Sequence, residues 1–296
     1  MTGIISGIKR MEIHDGDGLR TTVFFKGCPL SCIWCHNPES LSQRREIASF
    51  RSKCIGCGEC TSACPSGAVN LGRINRDVCI GCSKCVGACP TGALEGFGEE
   101  WDSESLFRKV MQDEPFFRES GGGVTLSGGE CLMQADFAVE LAERFFKAGI
   151  SVNVDTCGAV AQETIDKILP FTHTFLYDVK TFDPELHRKL TGCDNSLILE
   201  NLNYISKQNA NIEIRIPLVK GYNDGEIPKI AELLAAIRGV KKVKVLKYHS
   251  LAASRYEALG RRNTLPDAET KNEDIDLAVE ILRSHGLNAV NGARGD

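Results

Sequence analysis

Cys28-Pro29-Leu30-Ser31-Cys32-Ile33-Trp34-Cys35-His36 places three thiols in a CxxxCxxC run directly behind the strand-like stretch Thr21 to Gly27. No fourth Cys stands at ligand spacing inside the run. Three sulfurs so spaced suit a 4Fe-4S cube with three irons held by protein and one left open to another ligand. Zinc, or three unrelated buried thiols, are the alternatives. The chain has 14 Cys. Met1 to Arg20 lacks the charged, apolar and small-residue regions of a secretory signal in order, so a cytoplasmic location is expected, where thiols stay reduced rather than forming disulfides.

Eight more Cys fall in two copies of one pattern. Cys54-Ile55-Gly56-Cys57-Gly58-Glu59-Cys60-Thr61-Ser62-Ala63-Cys64-Pro65 returns 25 residues later as Cys79-Ile80-Gly81-Cys82-Ser83-Lys84-Cys85-Val86-Gly87-Ala88-Cys89-Pro90. Each is CxxCxxCxxxCP, the run of bacterial two-cluster ferredoxins, in which three Cys of one copy hold one 4Fe-4S cluster and the fourth holds the other. Crossed ligation would make the copies one mini-domain; zinc is the alternative. Three Cys are left over, Cys131, Cys157 and Cys193, and free Cys is commonly a small buried hydrophobe, so none is expected to be a ligand.

The elements that must position these groups follow from periodicity. With 296 residues, 42% of them hydrophobic, the chain can bury a substantial core in one large α/β domain with a small insert. A net charge of −4 with interspersed signs gives no polyanion footprint, and no apolar run approaches a membrane span, so neither nucleic acid nor membrane is expected as a partner. Residues 1 to 20 read as a short hairpin, with the turn-rich His14-Asp15-Gly16-Asp17-Gly18, feeding a strand at 21 to 26. The boundaries drawn from composition are 1–50, an iron-sulfur insert at 51–94, and 95–296. Past the insert, strands are expected at Val124 to Leu126, Ile150 to Asp155, His173 to Val179, Ile212 to Pro217 and Val243 to Lys247. Helices are expected at Glu104 to Glu119, Ala135 to Lys147, Gln162 to Leu169, Pro184 to Leu190, Asn195 to Lys207, Ile227 to Ile237 and Glu273 to His285. Six βα units imply a parallel sheet that can curl into a partial (β/α)6 TIM-like barrel; a doubly wound open sheet competes.

Nearly every chemically suggestive motif falls at the C-terminal end of an expected strand, where barrel enzymes build their sites. These ends carry the CxxxCxxC loop, Ser127-Gly128-Gly129-Glu130, Asp155-Thr156-Cys157-Gly158, Asp178-Val179-Lys180, Arg215 to Lys220, and Tyr248-His249. Paired glycines let a ligand approach the backbone, and a carboxylate beside them can accept from an ammonium group. Taken singly each has a bland reading: a turn, a helix cap, a structural His.

Together with Asp15-Gly16-Asp17-Gly18-Leu19-Arg20, these residues give the chain a close resemblance, over essentially its whole length, to the glycyl-radical-enzyme activating enzymes. These are radical S-adenosylmethionine (SAM) enzymes, here of the longer kind with a two-cluster ferredoxin-like insert. Asp17 stands where Pro is usual, and Cys131 where many radical SAM enzymes have Pro. The resemblance implies that Cys28, Cys32 and Cys35 ligate the catalytic cluster, with Trp34 beside the adenine of SAM. Gly128, Gly129 and Glu130 would receive the methionine amine. Asp155, Thr156 and Asp178 would form a monovalent-cation (Na or K) site, and Lys180, Arg215 and His249 would contact the carboxylate or ribose. Cys54, Cys57, Cys60, Cys64, Cys79, Cys82, Cys85 and Cys89 would hold two further 4Fe-4S clusters, three in all. The implied partners are a glycyl radical enzyme as protein substrate and an electron donor such as flavodoxin or ferredoxin, acting on a monomer. The implied reaction is reductive cleavage of SAM to a 5'-deoxyadenosyl radical that takes a hydrogen from a backbone glycine. A radical SAM enzyme for a small molecule or peptide is the alternative. A non-catalytic electron carrier would leave the flanking α/β chain unexplained. The insert argues against the shortest activators, such as the pyruvate formate-lyase type.

Overall fold

Period-2 alternation along the strands separates an apolar layer from a polar hollow. The structure, a computed structural model, describes residues 1–292. In chain order its elements are β1 (Thr2–Glu12), β2 (Arg20–Phe25), β3 (Glu46–Ser49), α1 (Glu59–Ala63), β4 (Val69–Asn70), β5 (Arg73–Ile74), α2 (Lys84–Gly87), β6 (Leu94–Phe97), β7 (Glu99–Asp102), α3 (Ser103–Val110), α4 (Glu114–Ser120) and β8 (Gly123–Gly128). There follow α5 (Ala135–Lys147), β9 (Ser151–Thr156), α6 (Gln162–Ile168), β10 (Thr174–Asp178), α7 (Pro184–Thr191), α8 (Ser196–Lys207), β11 (Ile212–Leu218), α9 (Ile227–Ala235), β12 (Val240–Lys247), α10 (Ala253–Ala258), α11 (Asn272–Ser284) and β13 (Ala289–Asn291).

One nine-stranded sheet runs β13-β12-β11-β10-β9-β8-β2-β1-β7. From β2 through β13 every neighbouring pair is parallel, while β1 and β7 add an antiparallel edge. The parallel strands follow one another in chain order without reversal. A doubly wound sheet needs a reversal at its switch point, so that alternative is excluded, and the chain is a singly wound, mostly parallel α/β sheet of the partial-barrel kind.

Three local expectations are corrected. The N-terminal segment is a single strand, β1, that pairs with β2 itself rather than a hairpin closed before it. The helix expected at 104–119 breaks into α3 and α4 across a turn at Met111–Asp113, where Pro115, in the first turn of α4, cannot continue a preceding helix. A seventh parallel strand, β13, was missed because three residues carry no readable period.

Val23 and Phe25 of β2, Val124 and Leu126 of β8, Val152 and Val154 of β9, Ile212, Ile214 and Ile216 of β11 join one core with Leu141 and Phe145 of α5, Leu202 of α8, Leu234 of α9 and Leu282 of α11. The intervening residues are polar yet buried, among them Thr22, Thr125, Asn153 and Arg215. The loop 13–19 closes the hollow from the strands' N-terminal side. The Asp15 carbonyl accepts from Thr125 Oγ1 at 2.8 Å, and its carboxylate accepts from Thr22 Oγ1 at 2.8 Å and pairs with Arg215 at 3.3 Å. Arg20, 1% exposed, turns into the same hollow and donates to Thr125 Oγ1, Val124 O, Ser151 O and Asp17 O. Residue 17 acts there through its carbonyl, which Pro also has; this is why Asp is tolerated at that turn.

Residues 46–97 leave the sheet as a unit with its own base, the antiparallel pair β3–β6. Within it lie the hairpin β4–β5 and two helices of 5 and 4 residues.

Candidate functional site

A cavity of about 610 Å³ opens at the C-terminal ends of the parallel strands. Its wall includes Cys28, Cys32, Trp34 and Cys35 from the loop after β2, Gly128 and Gly129 after β8, Asp155, Thr156 and Cys157 from β9 and the turn after it, Asp178 and Lys180 after β10, Arg215 on β11, and His249 after β12. Sequence positions more than 200 apart thus share one rim because the strands carry them there side by side.

The cysteine loop is fixed from outside itself. Ser31 N and Ile33 N donate to Thr191 O and Leu190 O at the end of α7, at 2.7 and 2.9 Å. Tyr256 of α10 donates its hydroxyl to Cys35 O at 3.1 Å, Thr264 Oγ1 to Ile33 O at 3.1 Å, and His36 Nε2 lies 2.8 Å from His249 O with the two imidazoles stacked at 4.0 Å. Trp34, 5% exposed, packs with Leu190, Val219 and Tyr248.

Gly128 and Gly129 are required by packing. A Cβ on Gly128, whose φ is +119°, would come within 2.2 Å of Phe25 N, and one on Gly129 within 2.3 Å of Gly27 O. No side chain fits between β8 and the end of β2, and the two backbones are left bare to the cavity. Glu130 corrects the sequence reading. It is fully buried and not on the cavity wall, and its carboxylate accepts from Leu132 N, Thr156 Oγ1 and Cys157 N at 3.1, 2.9 and 2.8 Å. It therefore ties the β8 turn to the β9 turn instead of reaching for an ammonium group, and burial pushes its carboxyl up from the ordinary value. Thr156 correspondingly has its hydroxyl engaged with Glu130.

The charges on the wall neutralise one another. Lys180 pairs with Asp178. Arg215 lies 3.3 Å from Asp15, 3.6 Å from Asp155 and 3.5 Å from Glu213, so it answers three carboxylates on the floor before it can answer a ligand. Burial pushes Asp155 up to about 7 against the pull of Arg215. Cys157, expected as a packed thiol, is 5% exposed and also lines the cavity beside Cys28, whose thiol its neighbourhood lowers. Cys131 is buried against Asp155 O, and Cys193 is off the wall. Proximity of Cys157 depends on the turn after β9, for which its sequence holds no signal.

Burial pushes the Cys32 and Cys35 thiols up to about 12. Such thiols are inert unless a cation displaces the proton, as iron does. Among the described residues no three His, Cys, Asp or Glu gather round one point as a single metal ion would hold them. Thiols presented separately to one cavity suit a cube, whose irons stand at different corners.

The insert's Cys residues fall into two groups in space. A small cavity is lined by Cys54, Cys57 and Cys60 of the first copy together with Cys89 of the second. Cys85 in turn feels the charges of Cys64, Cys79 and Cys82.

Residues 22–234 match the Radical SAM superfamily. The chain belongs to it. It is 38% identical to the trans-4-hydroxy-L-proline dehydratase activating enzyme of Clostridioides difficile, over 93% of each chain. It is 39% identical to the choline trimethylamine-lyase activating enzyme of Oleidesulfovibrio alaskensis, over 95% of this chain and 98% of that one. Within the superfamily it is therefore one of the activating enzymes of glycyl radical enzymes. The pyruvate formate-lyase 2-activating enzyme of Escherichia coli is 31% identical, over 97% of this chain and 92% of that one, and so is not one of the shortest activators that the insert argues against. A crystallised domain of a pyruvate-formate lyase-activating enzyme from Bacteroides vulgatus superposes with a TM-score of 0.50 at 29% identity, covering 57% of this radical SAM chain and 98% of that one. Streptococcus suis SuiB shares the fold, with a TM-score of 0.57 at 12% identity, covering 89% of this chain and 46% of that one.

Proposed function

We propose that the cavity at the strand ends holds SAM against a 4Fe-4S cluster ligated by Cys28, Cys32 and Cys35, and that the chain activates a glycyl radical enzyme of the dehydratase, lyase or decarboxylase class. The observation that carries this reading is the convergence of those three Cys with Trp34 and the bare backbones of Gly128 and Gly129 on one cavity. When bound, the cluster supplies the electron with which SAM yields methionine and the 5'-deoxyadenosyl radical that takes hydrogen from a partner's glycine. This chain's own residues position. The carbonyls at Gly128 and Gly129 would accept the methionine ammonium, Trp34 would lie beside the adenine, and Lys180 and His249 would meet the carboxylate and ribose. Arg215 would set the field from the floor. Asp155 and Asp178, with the backbone of Thr156, would hold a monovalent cation (Na or K) beside SAM.

Residues 51–94 are read as a ferredoxin-like insert between barrel parts 1–50 and 95–296. The β3–β6 pair supports this and carries its base out to 46 and 97. The two quartets would hold two more clusters, giving three in all and about 12 iron atoms per chain. A flavodoxin or ferredoxin would supply electrons to a cytoplasmic monomer. No described helix is long and apolar enough to cross a membrane.

The test is anaerobic mixing of reconstituted protein with reductant, SAM and glycyl radical enzymes of the three classes. A glycyl doublet in the EPR spectrum of one of them, with 5'-deoxyadenosine formed, is expected. Formation of 5'-deoxyadenosine with a small molecule or peptide and no protein radical would overturn the activase reading.

A further inference from the structure

The two quartets of the insert stand differently toward the barrel. The cavity ringed by Cys54, Cys57, Cys60 and Cys89 is lined by insert residues alone. The quartet of Cys79, Cys82, Cys85 and Cys64 lies at the junction. Gly81, inside that run, packs so closely on Arg45 that a Cβ would come within 3.0 Å of its carbonyl oxygen. Arg76, three residues ahead of Cys79 and within its electrostatic reach, spans the boundary: Nη1 donates to Ile47 O at 3.0 Å and Nη2 to Ala258 O at 2.9 Å. Gly260 closes over the same guanidinium, where a Cβ would meet Nε at 2.5 Å. Ala258 ends α10, and the same short helix carries Tyr256, 3% exposed, whose hydroxyl donates to Cys35 O. Ala48, Ala258 and Leu259 pack together beneath this bridge, with Phe50 and Phe97 against them. Two hydrogen bonds and two short stretches of chain, 76–79 and 256–258, thus join Cys79 to Cys35.

We propose that Arg76, α10 and Tyr256 form the electron junction of the enzyme, making the quartet of Cys79, Cys82, Cys85 and Cys64 the inner one and that of Cys54, Cys57, Cys60 and Cys89 the outer. One electron leaves the inner cluster, which is oxidised, and enters the cavity cluster, which is reduced; no bond or proton moves, and a low-potential one-electron donor refills the insert. Arg76 and Tyr256 act as positioning residues. The inference rests on the three-cluster reading, so iron content is measured first: protein lacking the insert's iron would refute that reading, whereas the junction is judged only on fully loaded protein.

The experiment follows reduction of the cavity cluster by rapid-freeze EPR after a flash-reduced deazaflavin donor, using the shift that SAM imposes on that cluster's signal. Arg76→Met keeps the stem and removes both hydrogen bonds, the one to Ala258 O lying on the proposed route; it should slow the signal several-fold, with iron content and SAM affinity unchanged. Tyr256→Phe should slow it less, and Arg76→Lys should recover part of the rate. Cys79→Ala with Cys82→Ala should abolish rapid reduction, while Cys54→Ala with Cys57→Ala should retain it. Wild-type rates in fully loaded Arg76→Met, or loss of reduction with the Cys54 and Cys57 pair but not with the Cys79 and Cys82 pair, would overturn the proposal. If Arg76→Met loses iron, Tyr256→Phe, which lies outside the insert, decides in its place.

Discussion

The barrel and the segment 46–97 are held together by different forces. The barrel buries one continuous core in which strands such as β8, β9 and β11 pack against α5, α8, α9 and α11. In the segment the buried set is Ile47, Cys60, Val69, Cys85 and Leu94, with Cys64, Cys79 and Cys89 among the residues packed against it. Half of that small core is thiol. A unit of this size with two- and four-residue strands buries little apolar surface, so clusters on its two quartets, as proposed, would supply folding free energy. In the barrel the thiols sit on a fold that apolar burial supports, whereas in the insert they make up much of the small core itself.

The largest expected effect breaks or sustains this contrast directly. Chelation of the iron should leave 46–97 sensitive to limited proteolysis while the barrel keeps a cooperative thermal transition; an insert that stays resistant without iron would show that its apolar contacts suffice. Next, Cys28→Ala with Cys32→Ala and Cys35→Ala should abolish 5'-deoxyadenosine formation yet retain about 8 of about 12 irons and the insert's protease resistance. Surviving SAM cleavage would refute the cavity assignment.

A smaller effect is expected at Glu130. As a buried tie between the β8 and β9 turns, Glu130→Gln should cost about 1–3 kcal/mol of barrel stability through a mispaired donor, read as a lower denaturation midpoint. If SAM affinity fell tenfold with stability unchanged, the carboxylate would be a ligand contact after all. The smallest effect concerns Asp155. Its folded value of about 7 lies above the ordinary 3.8, so the folded apo-protein holds that proton more tightly than the unfolded chain. Its contribution to stability is present at low pH and lost as pH rises toward 7. Binding of the cationic SAM should gain from the charge that appears there, and Asp155→Asn should flatten the stability slope between about pH 4 and 7 and the binding slope about pH 7. An unchanged pH profile would place Asp155 outside the ligand's reach.

Much of the site was legible because β-strands deliver their C-terminal ends to one rim: Cys28, Gly128, Asp155, Asp178 and His249 could be expected to meet without any distance in hand. The direction of a side chain at a turn was not legible. Glu130 and Cys157 both follow strands ending on the rim, yet one turns inward and the other faces the cavity, because Thr156 Oγ1 and Cys157 N at the end of β9 both donate to the carboxylate. The glycine pair was read as room for a ligand, and it lines the cavity as that reading expects; that the atoms excluding a Cβ there belong to β2 and the loop after it is a fact of register between strands far apart in sequence.

The CxxxCxxC run and the βα order could be read from the sequence alone, since thiol spacing and hydrophobic period are local properties written within a few residues of each other. Only the tertiary structure decided that the sheet is singly wound, that loop 13–19 closes the hollow, that Arg215 is shared among carboxylates, and that α10 stands between the second quartet and Cys35. Each of these depends on which buried polar group finds its partner across the fold, and those partners are fixed by packing geometry that no local pattern encodes.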